Sequence, residues 1–300
     1  MTKFSELIEP GVEFKTLGEG MSWTEGPLWL ADRQSCIFSD IHNNAIMAWS
    51  EPKQTMSVFA NNVEFTNGRA IDGNGDIIEC SHGRRAVQRR SASTGEVTVL
   101  VDHFAGVSLN SPNDVVVASD GAIWFSDPAY GIELAGEGHP GVREYGDRWI
   151  FRFDESTGQI WPVVTDVIAP NGLAFSPDES VLYVCDSSNS GGEDGPGRHI
   201  RAYEVIDGRL AKWGRTIIEI DNEVPDGIKV DRDGRIWSSA GDGVRIFEPD
   251  GTEIGRILTP VRVANLCWGG ADGQTLYMCA TDKLLSIRTT TTDATWARRA

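Results

Sequence analysis

One phrase recurs six times along the 300 residues of this chain. It opens on an oxygen-bearing side chain, in most copies within Asn-Gly, Asn-Asp or Asp-Gly. It then runs through a short apolar segment, turns on Asp or Gly, and returns through a second apolar segment rich in aromatics. The copies begin near Glu25 (EGPLWLADRQSCIFSD), Asn67 (TNGRAIDGNGDIIECSH), Asn113 (SPNDVVVASDGAIWFSD), Asn171 (PNGLAFSPDESVLYVCD), Asp226 (VPDGIKVDRDGRIWSSA) and Asn265 (NLCWGGADGQTLYMCA). Their spacings are 42, 46, 58, 55 and 39 residues, which bracket the ~40–50 residues of a propeller blade. Each copy is followed by a segment of period-2 alternation: AIMAWSE (45–51), AVQRRSA (86–92), WIFRFDE (149–155), HIRAYEV (199–205), GVRIFEP (243–249) and LLSIRTT (284–290). That period is the mark of a strand. Segments such as QTMSVFA, EVTVLVD and IWPVVTD supply a further strand.

The expected fold is therefore all-β, a six-bladed propeller with four-stranded blades, 1–300 forming a single domain with about the first 10 residues peripheral. A β-sandwich would not explain six copies of one phrase. The 33 glycines and 13 prolines spread along the chain fit many turns and few helices. Trp124 and Trp237 recur at one place in their units and read as blade packing, as do most of the ten Trp; Trp23 and Trp29 are less clear. Asp72, Asp231 and Asp233 match the repeated second turn and read as structural.

A net charge of −17 opposes a nucleic-acid partner, which needs a basic footprint. Five cysteines, odd in number and without a CxxC pair, fit a reducing compartment. With no signal-peptide pattern and no 18-residue apolar run, the expectation is a soluble cytoplasmic protein without a membrane partner; oligomeric state stays open.

In a propeller, equivalent positions converge on a ring, so Glu25, Asn67, Asn113, Asn171, Asp226 and Asn265 should meet at one mouth of the central channel. A ring of carboxylates and amide oxygens without His or Cys suits a hard cation. Calcium takes such ligands at ~2.3–2.6 Å, and magnesium or manganese compete. Asn and Asp after proline are also plain turn chemistry, but Glu25 before Gly-Pro has no turn role and a ligand role explains it. Two long inserts, 128–148 and 187–199, are placed to rim such a site. Asp127 and Tyr130, where the first insert begins, would border the pocket or a second ion. Asn67 is equally a substrate contact or a simple turn residue. His82 in CSHG reads as a strand-end histidine bonded to a neighbour rather than a catalytic one.

EGPLW, SPNDVVVASDGAIWFSDPAYG, PNGLAFSPDESVLYVCD and VPDGIKVDRDGRIW, in this order, resemble the regucalcin/gluconolactonase family of six-bladed propellers. The resemblance runs from about residue 20 to 288. CSHGRRAVQR (80–89) and NLCWGGADGQTLYM (265–278) are most similar to the bacterial gluconolactonase branch. The resemblance implies a divalent metal at the channel mouth held by Glu25, Asn171 and Asp226, with Asn113 a further ligand or a substrate contact. It implies hydrolysis of sugar lactones by metal-polarised carbonyl and activated water. Asp226, the only Asp of the ring, is the expected general base. The ion expected is calcium; zinc, manganese, magnesium and iron are alternatives. The small-molecule partner expected is an aldono-lactone. The alternatives are hydrolysis of another ester or organophosphate at the same metal, or a non-catalytic calcium-binding scaffold. No GxSxG elbow supports serine-hydrolase chemistry, and no GxGxxG or P-loop supports a nucleotide.

Overall fold

The computed structural model describes residues 2–190 and 195–299. Its strands form six four-stranded antiparallel sheets and a small hairpin, His103–Phe104 with Val107–Ser108. Blade 1 runs outward through Thr24–Leu30, Ser35–Asp40, Ala45–Ser50 and Thr55–Asn61. Blade 2 is built from Thr66–Ile71, Ile77–Ser81, Ala86–Arg90 and Val97–Val101, and blade 3 from Val115–Val117, Ile123–Asp127, Trp149–Asp154 and Gln159–Val164. Blade 4 has Pro170–Phe175, Val181–Asp186, His199–Ile206 and Leu210–Glu219; blade 5 has Ile228–Val230, Ile236–Ala240, Gly243–Phe247 and Glu253–Leu258. The innermost strands touch one another in sequence around the ring, and the last returns to the first. The chain is an all-β six-bladed propeller.

Blade 6 is made from two distant parts of the chain. Asn265–Gly269, Thr275–Ala280 and Lys283–Arg288 supply three strands. The fourth and outermost is Lys15–Glu19, antiparallel to Lys283–Arg288 with Lys15 opposite Ser286. Ahead of it, Leu7 is buried against blades 5 and 6. Ile8 bridges Thr289, and Thr290 N donates to the Leu7 carbonyl.

Burial falls off radially. The inner strand TEGPLWL and its neighbour SCIFSD are buried at every position, whereas the outer strand TMSVFAN is mostly exposed. Inner strands packed on both faces need apolar side chains on both, so alternation is clearest further out. The blades interlock through aromatic rings. Trp237 meets Trp268 edge-on at 5.0 Å, Trp124 meets Phe175 at 5.2 Å, and Trp29 stacks on Tyr277 at 5.5 Å. The repeated turn aspartates cap their own hairpins. Asp72 Oδ1 accepts from Asn74 N (2.8 Å) and Asp76 N (3.0 Å), and Asp231 Oδ1 from Asp233 N and Arg235 N (both 3.0 Å).

Among the described residues no helix is long and apolar enough to cross a membrane. All five cysteines are free and buried.

Candidate functional site

The six residues that open the units are each between 3 and 7% exposed. Their local backbone explains why they point inward. Pairing is irregular between Glu25 and Leu28, between Thr66 and Arg69, and between Pro170 and Leu173. A bulge re-aims the side chain at its centre; Asn67 and Asn171 lie within theirs, whereas Glu25 is the last paired residue before its own, opposite Ser39. Asn113 and Asp226 instead sit just ahead of their short strands, where Asn113 N donates to the Ser126 carbonyl (2.9 Å) and Asp226 N to Ser239 Oγ (2.9 Å). Neighbouring units are stitched at this level by backbone bonds: Gly68 N to the Asn113 carbonyl (2.7 Å), Gly172 N to that of Asp226 (3.0 Å), and Gly227 N to that of Ala264 (2.7 Å).

The carboxylates are under electrostatic stress. Burial first, and the charge of Asp226 second, push Glu25 well above the usual carboxylate range. Glu25 Oε2 accepts from Gly26 N (2.7 Å) and from Asn265 Nδ2 (3.0 Å). Asn265 spends its Oδ1 on Leu266 N (2.8 Å), so this sixth ring member is committed to the protein. Burial also raises Asp226, against the opposing pull of Arg262, whose Nη2 donates to Asp226 Oδ2 at 3.0 Å; the Asn171 amide donates to Asp226 as well. Arg262 stands over the Trp23 ring at 5.5 Å and also pairs with Glu223 at 3.4 Å.

Asn67 and Asn113 flank His82, each amide nitrogen 3.4 Å from Nε2. His82 is fully buried, and burial lowers its pKa to about 4, so the ring is neutral at neutral pH. Among the described residues Asn67 Oδ1 is buried with no hydrogen-bond partner, as is Asp114 Oδ2, which lies 3.9 Å from Lys229 Nζ.

The insert 128–148 enters this site with Glu137. Its carboxyl is raised to about 7, by burial and then by the charge of Asp226. Tyr130 opens the one-turn helix Tyr130–Glu133, half-buried, at the start of the insert. Asp127 lies elsewhere than the ring. It is wholly buried and accepts from Asn110 N (2.8 Å), Ser111 N (2.8 Å) and the Tyr145 hydroxyl (2.9 Å), and burial raises its carboxyl to about 7. These bonds tie the strand end to the insert and leave the carboxylate engaged within the protein. Of the second insert, residues 191–194 lie outside the described residues; Ser188 and Gly197 close its base through a 2.8 Å hydrogen bond.

His82, Arg262, Glu137 and Asp114 were not among the ring positions expected from the repeat. Asp114 carried a signal, since it replaces the glycine that follows Asn67, Asn171 and Asp226 in their units, and His82, read as a strand-end histidine bonded to a neighbour, is bonded to Asn67, Asn113 and the Glu137 carbonyl. Volume is no guide to this chemistry. The cavity of ≈ 1320 Å³ opens at the other end of the channel, lined by the far ends of inner strands such as Ile71 and Val117 and by residues 293–296, and no ring residue lines it.

Among the described residues no three His, Cys, Asp or Glu side chains group as a metal site. The ring offers two carboxylates and completes its donor set with amide oxygens, a hard-cation composition. The unpartnered Asn67 Oδ1 and the raised carboxylates fit such an ion, because a cation would satisfy the one and lower the other.

The family model described as the SMP-30/gluconolactonase/LRE-like region matches residues 23–282. The chain belongs to this family. The match takes in all six ring residues. Among its relatives, a gluconolactonase of Zymomonas mobilis is 29% identical over 97% of this chain and 86% of its own length. The solved structure of a gluconolactonase from Xanthomonas campestris superposes with a TM-score of 0.87 at 34% identity, covering 95% of this chain and 91% of that one. A calcium-binding regucalcin from Agrobacterium tumefaciens shares the fold, with a TM-score of 0.74 at 18% identity over 93% of this chain and 95% of its own.

Proposed function

We propose that this SMP-30/gluconolactonase family member is a lactonase that opens sugar lactones, aldono-lactone to aldonic acid, with one divalent cation at the channel mouth. The observation that carries the reading is the meeting of Glu25 and Asp226, from blades 1 and 5, on one buried ring otherwise made of amides. Family membership supports the substrate class, since the relatives from Zymomonas and Xanthomonas are named gluconolactonases. The regucalcin relative, named as calcium-binding, supports calcium as the ion.

Glu25, Asn171 and Asp226 would hold the cation, with Asn113 as a further ligand or a contact to a sugar hydroxyl. When bound, the ion supplies Lewis acidity at the lactone carbonyl and raises the acidity of water. Asp226 would take the proton of the attacking water. Arg262 and Asn171 both donate to its carboxylate and so favour the ionised form that a base requires. Water adds to the carbonyl carbon, the ring carbon–oxygen bond breaks, and the proton held by Asp226 passes to the leaving oxygen to give the hydroxy acid. Glu25 would hold the ion, whose charge would offset the burial that raises its carboxyl. Asn171 and Asn113 contribute neutral oxygens, which leave the ion more electrophilic than further carboxylates would. Asn67, on the ring, and Tyr130, at the start of the insert, would serve as substrate contacts.

The test is acid release from glucono-1,5-lactone and a panel of aldonolactones, with and without chelator. Release above the spontaneous rate, lost with chelator and restored by calcium, is the expected outcome. Chelator-insensitive release would remove the metal from the mechanism. Thermal stabilisation by calcium, ~2.7 kcal/mol at a hundredfold excess over Kd, without turnover on any lactone, ester or phosphotriester, would identify a calcium-binding scaffold instead.

A further inference from the structure

His82 contributes no oxygen to the ring, yet its imidazole fills the space behind two of its members. We infer that His82 is a positioning residue: locked in its Nδ1–H tautomer, it holds the Asn67 and Asn113 amide nitrogens and thereby turns their oxygens away from itself, towards the channel. The inference rests on the cation-dependent reading above only for its consequence; the locking is independent of any ion.

The chain of constraint starts in the insert 128–148. Nδ1 of His82 lies 3.0 Å from the backbone carbonyl of Glu137. A carbonyl only accepts, so Nδ1 carries the proton. In the neutral ring Nε2 is then bare and can only accept. Its partners at 3.4 Å are Asn67 Nδ2 and Asn113 Nδ2. A half-turn of an amide exchanges its nitrogen and oxygen, but a bare Nε2 leaves one answer: an amide oxygen there would face a lone pair. Both amides must present nitrogen to the ring, and their oxygens are the groups left for another partner. Among the described residues Asn67 Oδ1 is buried without one.

The insert also fixes where the ring stands. A Cβ on Gly131 would come within 2.5 Å of His82 Cβ and 2.8 Å of its Cγ, so the first turn of the insert packs directly on the imidazole. The Glu137 carboxylate reaches to 4.0 Å of Nδ1, behind the carbonyl contact. A loop that looks like a rim thus acts, through one carbonyl, on the orientation of two ring amides in blades 2 and 3. Groups that orient metal ligands from behind in this way change metal affinity or activity ~10–100-fold when removed.

The experiment uses the full-length protein labelled with 15N. Long-range proton–nitrogen spectra of the cation-free protein, with His82 assigned by its disappearance in His82→Gln, report which ring nitrogen is protonated. Protonated Nδ1 with bare Nε2 is expected; a protonated Nε2 would overturn the inference whether or not any ion binds. Calcium titration calorimetry then compares wild type, His82→Gln and His82→Phe. Gln can offer a side-chain oxygen near the place of Nε2 and should stay close to wild type, whereas Phe, of similar shape without an acceptor, should bind ~10–100-fold more weakly. Equal losses in Gln and Phe would show that bulk, not the acceptor, matters. If wild type binds no cation, the metal reading fails while the tautomer measurement still decides this inference.

Discussion

Asp226→Asn is expected to lower kcat by about 10²–10⁴-fold, the usual contribution of a positioned general base, while retaining part of the cation affinity. The substitution preserves size and leaves an oxygen for Arg262, whose Nη2 sits 3.0 Å from Oδ2. What it removes is charge and basicity. Asp226 is the ring carboxylate that two donors, Arg262 and Asn171, hold towards its ionised form against burial. An amide cannot take a proton from water, so turnover falls even when calcium is saturating. Cation affinity should also fall, because the proposed site loses one of its two carboxylates, and saturation separates that effect from chemistry. Glu25→Gln is the contrasting variant. Glu25 is more strongly displaced by burial and by its neighbour's charge, and it carries no compensating guanidinium, so its loss should show first as weaker cation binding. Steady-state rates at a series of calcium concentrations, with affinity from calorimetry, distinguish the two patterns. Near wild-type kcat in Asp226→Asn at saturating calcium would remove Asp226 from the base role.

The blades were legible because each inner pair is one repeated phrase, and the third strand of each blade shows alternation. The closure was not. Lys15–Glu19 is a five-residue strand, KTLGE, with only partial burial, and its partner Lys283–Arg288 lies at the far end of the chain. Nothing local marks such a strand as the outer edge of blade 6. The ring followed the same rule. Glu25 and Asp226 could be named because a repeat places equivalent residues at equivalent positions. His82 and Arg262 could not, because neither occupies the repeat position. His82 comes from the end of the second strand of blade 2, and Arg262 from the loop 259–264. They reach the site only because neighbouring blades and the first insert close around it. Asp127 shows the converse. Its place at the end of a strand beside the insert suggested a pocket wall, but the backbone amides of Asn110 and Ser111 take its oxygens. Buried backbone donors must be satisfied, and this carboxylate meets that need.

Gly26→Ala should be the most damaging single-methyl change at the ring. Gly26 has φ +50°, and a Cβ built there would lie 1.8 Å from the Asn67 carbonyl oxygen and 2.6 Å from its carbon. Both are backbone atoms of the neighbouring blade, so no rotamer change relieves the clash. The blade interface itself has to open. The position is pinned from other sides too, since Gly26 N donates to Glu25 Oε2 (2.7 Å) and its carbonyl accepts from Arg69 Nη1 (2.7 Å). Strained φ costs ~1–3 kcal/mol and overpacking against rigid neighbours ~1–3 kcal/mol more. The sum of ~2–6 kcal/mol corresponds to a Tm lower by about 4–24 °C at ~2–4 °C per kcal/mol. Gly158→Ala is the control. It has φ +67° with nothing within 4 Å of the added Cβ, so it carries the backbone strain without the contact. The difference between the two melting temperatures measures how closely blades 1 and 2 approach at the channel mouth. Equal shifts would mean that Gly26 is required for its backbone conformation alone, and that the spacing of the ring at Glu25 and Asn67 is set elsewhere.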